Sequence, residues 1–327
     1  MDRQELLKKI CKLPIIADSL ADDILSGNFS SIFKGQGIEF DEVRHYQPGD
    51  DIRSIDWNAS ARFGSPFVKM YREERDLTVL IILDTSASMH RSGWMPATDN
   101  GTDLNPYEQG LLAAALIAFS AGRNDQRVGA LLYDNDINRV FLPRKGQHNI
   151  MTLIGGALQY QQQMDSTGRK FKKPPRQQGS NLPAALKGAD RLLKRRSLVI
   201  IISDFYSANW EDELKKLCQK HDVFALRIST PMDLNMPDWG LFTLEDPETA
   251  VRISAPMGFS SFREAWSDWH TKGAEAWISA CHRCGAAHLE LSTSQDAAAV
   301  LFRFFSSRPS LRPTAKGHRR RAHAGLH

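Results

Sequence analysis

Cysteine is scarce in this chain: four in 327 residues, at positions 11, 218, 281 and 284. That count gives no basis for a disulfide framework and suits a reducing compartment. The single C-x-x-C pair, "CHRC" at 281–284, has no second pair at zinc-finger spacing, and i,i+3 placement on a helix accounts for it. Long apolar runs are also missing. "GLLAAALIAFSAG" (110–122) comes closest, but it is bounded by Gln109 and Arg123 and falls short of the roughly 20 residues a membrane-spanning helix needs. The opening "MDRQELLKKICKLP" is charged throughout and lacks the apolar centre of a secretory signal, so a cytoplasmic location is expected. No Gly-x-x-x-x-Gly-Lys-Ser/Thr loop is present, which excludes a P-loop nucleotide site, and no Gly-x-Ser-x-Gly elbow surrounds the serines.

What is present suits a folded protein with a large core: 42% apolar, 24% charged and 9% aromatic residues. The net charge of +4 comes from one end. Residues 308–327, "RPSLRPTAKGHRRRAHAGLH", hold six Arg/Lys and no acid, leaving the first 307 residues at −2. This tail and the basic stretch "GRKFKKPPRQQ" (168–178) read as solvated, flexible segments. Neither has the interleaved aromatics of a nucleic-acid module, so nucleic acid and membrane surfaces are not the expected partners.

Five short apolar runs recur between helical patterns: "LTVLIILD" (77–84), "RVGALLYD" (127–134), "SLVIIISD" (197–204), "DVFALRIS" (222–229) and "AHLELST" (287–293). Continuous rather than alternating apolar character in the first and third predicts strands buried on both faces, hence a doubly wound, mostly parallel sheet between helices. Helices are expected over 105–122, 148–164 (interrupted at Gly155-Gly156), 180–196, 210–220 and 259–285. "GLFTLEDPETAVRISA" (240–255) reads as a β-hairpin insertion turning at Asp246-Pro247. The domain reading is an N-terminal extension over 1–76 packed on the body, an α/β domain over 77–307 and a basic disordered tail over 308–327. In the extension, turn signals bracket strand-like pieces, and Trp57 is the expected buried anchor.

The first strand ends in Asp84, followed by Ser86 and Ser88; the third ends in Asp204. Ligands bind outside the carboxyl ends of such strands, where strand order reverses. With Ser180, which opens the helix before the Asp204 strand, these residues form a set of hard oxygens suited to magnesium. Taken singly, each has a plainer use: Ser86, Ser88, Ser180 and Asn181 as helix caps, Asp204 as a turn residue. Because Asp84 is read as facing a crevice and not the core, Asp84→Ala is expected to leave the fold intact.

Asp84-Thr85-Ser86-Ala87-Ser88 resembles the metal-ion-dependent adhesion site of von Willebrand factor A domains. By that resemblance the sheet is von Willebrand factor A-like and binds a divalent ion, magnesium foremost, with manganese or calcium as alternatives. Ser86 and Ser88 would ligate it and Asp84 would anchor them. Ser180 stands where that family usually has a threonine, and Asp204 where its third loop supplies an aspartate. Asn181 stands where related sequences often carry aspartate. An acidic residue of a protein partner would complete the ion's shell. More of the chain is similar to the bacterial family called domain of unknown function 58. The blocks are "GIEFDEVRHYQPGDDIRSIDWNASARFGSPFVKMYREERDLTVLIILDTSASM", then "ISDFY", "HDVFALRI", "LFTLEDPET" and "HLELSTSQD" in order, over about residues 30–306. Its members are often encoded beside MoxR-type AAA+ ATPases, which implies a role as adaptor or partner of such an ATPase in a chaperone-like system; no catalytic activity is established for the family.

Two other classes compete with this reading. A phosphatase-like metal-dependent hydrolase would use Asp84 as nucleophile, but the second carboxylate it needs two residues on is replaced by Ser86. A binder of nucleic acid or membrane surface would rely on the basic tail and linker.

Overall fold

The turn-rich segment ahead of the first apolar run folds as an antiparallel pair, β1 (Ile38–His45) with β2 (Phe67–Glu73), connected through helix α1 (Trp57–Phe63). The computed structural model describes residues 10, 13, 38–48, 50–51, 54–73, 77–90, 104–170, 179–245 and 251–307. The basic tail, most of the 168–178 stretch and all of the first 37 residues but 10 and 13 lie outside them. The expectation for Trp57 does not hold: its side chain is 69% exposed. Asp56 caps α1 by accepting from Asn58 N (2.9 Å) and Ala59 N (3.1 Å), which makes Trp57 the first helical residue and leaves its indole on the solvent side. The apolar contacts of this unit come instead from buried Val68, bridged to Ile55, and from Phe67, whose ring lies 5.1 Å from Phe63 and 4.3 Å from His45.

The run "TVLIILD" is β3 (Thr78–Asp84), and every residue from Val79 to Asp84 is buried. Helix α2 (Pro106–Arg123) follows, started by a capping box between Asn105 and Glu108 with Pro106 in the first turn. β4 (Arg127–Tyr133) pairs parallel with β3. β5 (Ile137–Arg144) is an addition to the expected strands; it lies antiparallel beside β4 at the sheet edge, where Pro143 costs no ladder bond. Helix α3 (Gln147–Lys170) runs unbroken through Gly155-Gly156. A Cβ on Gly156 would lie 2.5 Å from ring carbon Cζ of Phe141, so the glycine serves close approach to the sheet and not a helix stop.

Helix α4 (Leu182–Leu192) leads to β6 (Leu198–Ser203), α5 (Glu211–Lys220) to β7 (Asp222–Ser229), and a short α6 (Pro231–Leu234) to the predicted hairpin, β8 (Leu241–Glu245) with β9 (Arg252–Pro256). The hairpin's turn at 246–250 is outside the described residues. Helix α7 (Ser260–Cys284), β10 (Ala287–Ser292) and α8 (Ala297–Ser307) complete the described chain.

The six-stranded sheet has the order β10–β7–β6–β3–β4–β5 and is parallel except for β5. Helices cover both faces. Val79, Ile81 and Leu83 of β3 join the apolar cluster under α2, α3 and α8, while Leu80 and Ile82 join the one under α4, α5 and α7. That alternation within a wholly apolar run is the period-2 geometry of a strand covered on both sides. Ile10 and Leu13 belong to the first cluster. Among the described residues, no helix is long and apolar enough to cross a membrane.

Candidate functional site

β3 connects to β4 on one side, and β6 lies on β3's other side, so strand order reverses between β3 and β6. Asp84 ends β3 and Ser203 ends β6, which places both at that switch point.

Asp84 is 0% exposed, and its carboxylate gathers four hydrogen bonds. Oδ1 accepts from Ser86 N at 2.8 Å. Oδ2 accepts from three hydroxyls: Ser203 Oγ at 2.7 Å, Ser180 Oγ at 3.0 Å and Tyr133 Oη at 3.0 Å. Ser86 Oγ and Ser88 Oγ lie 3.0 Å apart, both residues being buried. The structure therefore brings together four of the five expected residues, Asp84, Ser86, Ser88 and Ser180. The fifth, Asp204, directly follows Ser203; it is 2% exposed and accepts from Tyr206 N at 3.3 Å.

Two members of the cluster escape a reading of the sequence. Ser203 reads only as part of a strand end, yet it donates to Asp84 and accepts from Phe205 N at 2.9 Å. A lone hydroxyl closing "LVIII" is the available signal. Tyr133 ends β4, paired with Asp84 in the ladder, and its phenol reaches across to the carboxylate. Burial first, then the Asp84 charge, hold that phenol well above the ordinary tyrosine range, so Tyr133 is a hydroxyl donor and not a phenolate.

The surrounding loops are tied to each other. Thr85 donates both its N–H (2.7 Å) and its Oγ1 (2.8 Å) to Tyr133 O. Asn181 N donates to Asp134 O at 2.8 Å, and Ser207 Oγ donates to Ser180 O at 2.7 Å. Asn181 caps α4 by accepting from Ala184 N, so the capping role falls to Asn181 and leaves the Ser180 hydroxyl on Asp84. Phe205 adopts φ +59°, a left-handed conformation uncommon for a bulky residue. Its ring is held between Trp210 (5.5 Å) and Trp277 (5.4 Å).

The full burial of Asp84 alters one expectation. Its loss would strand buried hydroxyl donors and would not leave the fold untouched. As a donor set, three serine hydroxyls and two carboxylates are all hard oxygens, the type that magnesium prefers. The Ser86–Ser88 oxygen spacing also matches neighbouring vertices of an octahedron with arms of about 2.1 Å. A hydroxyl that donates to Asp84 keeps its lone pairs for a cation. The residues present thus fit a divalent ion.

An uncharacterized protein of Mycobacterium tuberculosis is 29% identical over 319 residues, covering 94% of this chain and 91% of its own length. An uncharacterized protein of Mycobacterium avium is 33% identical over 138 residues, 39% of this chain and 76% of its own. Among solved structures, the conserved hypothetical protein BatB from Bacteroides thetaiotaomicron is similar at a TM-score of 0.39 and 14% identity, covering 70% of this chain and 97% of that one. An aerotolerance-related membrane protein from Bacteroides fragilis has a TM-score of 0.38 and 14% identity, over 69% and 94%. The family model described as "Protein of unknown function DUF58" matches residues 42–275, from β1 through most of α7, and the chain belongs to that family.

Proposed function

We propose that this chain is a non-catalytic, divalent-metal-dependent protein-interaction module of von Willebrand factor A-like architecture. It acts in the cytoplasm as adaptor or partner of a MoxR-type AAA+ ATPase. The observation carrying the metal reading is the convergence of Asp84, Ser86, Ser88 and Ser180 at the switch point, with Asp204 one residue past Ser203. Ser86 and Ser88 would hold the ion, Asp84 would orient the hydroxyls, and Ser180 and Asp204 would border it. The ion would supply a Lewis-acidic position for a partner's carboxylate. The ATPase partner rests on the family resemblance alone.

A binding role is favoured over hydrolysis by the state of Asp84. Its Oδ2 already accepts three O–H donors and its Oδ1 a backbone N–H, which makes it a poor nucleophile. Calorimetry with magnesium and manganese on the wild type and on Asp84→Asn tests the site. The expected result is saturable binding to the wild type and none to the variant; equal binding by both would overturn the ligand assignment. Co-sedimentation with a MoxR-type ATPase from the same genome should weaken with a chelator and with Asp84→Asn, and no further when the two are combined. Retention of the ATPase by a metal-free chain would remove the ion from the interaction.

A further inference from the structure

A second polar feature lies at the same end of the sheet, one strand further from β3. In β7, Val223 and Ala225 belong to the cluster under α4, α5 and α7, and Arg227 is next in that alternation. Arg227 is 4% exposed, and its Nη1 has no hydrogen-bond partner among the described residues. What it has are two aromatic faces, the rings of Tyr206 and Trp277, each centred 6.0 Å from Cζ. Such contacts return only part of what removing a guanidinium from water costs. A buried charge in this position calls for a counter-ion.

Space for one exists. Arg227 lines a cavity of about 300 Å³ together with Asp204, Tyr206, Trp269, Lys272 and Trp277. The buried indole N–H of Trp277 has no acceptor among the described residues. Tyr206 and Trp269, both exposed, stack at 5.9 Å and 11°. Tyr206 is fixed by a 2.9 Å hydrogen bond to Nδ1 of buried His270. The exposed Lys272 adds positive charge to the wall. Asp204 works the other way, since a dianion such as phosphate would meet its carboxylate. A monoanionic carboxylate fits the planar guanidinium with less repulsion.

We infer that this cavity binds a carboxylate carried on an apolar or aromatic body, with the carboxylate on Arg227 and the body against Tyr206, Trp269 and Trp277. A free organic acid and the C-terminal carboxylate of a peptide ending in an apolar residue share this chemistry. Asp204 is common to this cavity and to the border of the proposed metal position, but the carboxylate site rests on Arg227 and does not require the ion.

The test titrates the full chain, in the presence of a chelator, with phenylacetate, phenylacetamide, inorganic phosphate and a short peptide ending in phenylalanine, as free acid and as amide. Tryptophan fluorescence and calorimetry are the readouts. Saturable binding of a free acid is expected, with the amides and phosphate at least about tenfold weaker. Tighter binding of the peptide acid than of phenylacetate assigns the site to a protein terminus; the reverse assigns it to a small acid. Arg227→Met should lose binding at least about tenfold while melting at or above the wild-type temperature, because an apolar side chain replaces an uncompensated charge. If that variant does not fold, the acid-against-amide comparison on the wild type decides. Absence of saturation by either acid, equal binding of acid and amide, or unchanged affinity in Arg227→Met overturns the inference.

Discussion

Asp84 shows how one buried carboxylate can organise three segments distant in sequence. Ser203, Ser180 and Tyr133 reach its Oδ2 from 119, 96 and 49 residues away. Asp84→Ala leaves those hydroxyls without their shared acceptor, at about 1–3 kcal/mol for each buried group that finds no replacement. Denaturant unfolding of Asp84→Ala should therefore show a loss of at least about 2 kcal/mol even without metal. Asp84→Asn, which keeps one oxygen, should lose less. A variant as stable as the wild type would mean that water satisfies the hydroxyls. Tyr133 adds a pH signature. Its folded-state value lies well above the ordinary 10.0, so its contribution is complete below that pH. The contribution is lost as pH rises, because the unfolded phenol ionises first. Melts of Tyr133→Phe should fall less steeply than those of the wild type above about pH 10, by up to one proton's worth, about 1.4 kcal/mol per pH unit. Parallel alkaline limbs would show that this phenol is not held neutral by the fold.

At the scale of elements, α3 and β5 are the least legible parts of the chain. Gly155-Gly156 suggests an interruption because glycine is a poor helix former, costing about 1 kcal/mol against alanine. The two glycines are not equivalent. A Cβ on Gly155 meets nothing within 4 Å, whereas one on Gly156 meets Phe141 Cζ at 2.5 Å. Gly155→Ala should therefore stabilise by about 0.5–1 kcal/mol. Gly156→Ala should destabilise by about 1–3 kcal/mol, since overpacking against the sheet outweighs the propensity gain. Thermal unfolding of the pair checks both signs, and a stabilising Gly156→Ala would show that Phe141 moves freely. β5 is hidden for a related reason. "INRVFLPR" lacks the buried run of the parallel strands, and its pairing with β4 supplies the order that its own pattern does not.

For the whole molecule, the N-terminal residues matter beyond their own small sheet. Ile10 and Leu13 are 2% and 6% exposed and share a cluster with α2 and β3. Uncovering that surface forfeits about 1.5–3 kcal/mol for each apolar side chain, a large part of the 5–15 kcal/mol of a typical fold. A chain lacking residues 1–76 should melt at least several degrees lower or fail to melt cooperatively; an unchanged transition would show that the body stands without them. Local patterning in the chain is enough to establish the mostly parallel α/β class, the five parallel strands, the hairpin insertion, the strand end bearing Asp84 and, to within one residue, the strand end before Asp204. Those follow from short-range periodicity and from apolar runs that must be covered on both faces. Other features emerge only when the chain is folded: Ser203 and Tyr133 donate to Asp84, Trp57 faces solvent, and buried Arg227 lines a cavity with no ion-pair partner among the described residues. Each of those depends on register between strands, on a cap that turns a helix face outward, or on helices laid over the sheet, and a local pattern carries no record of such placements.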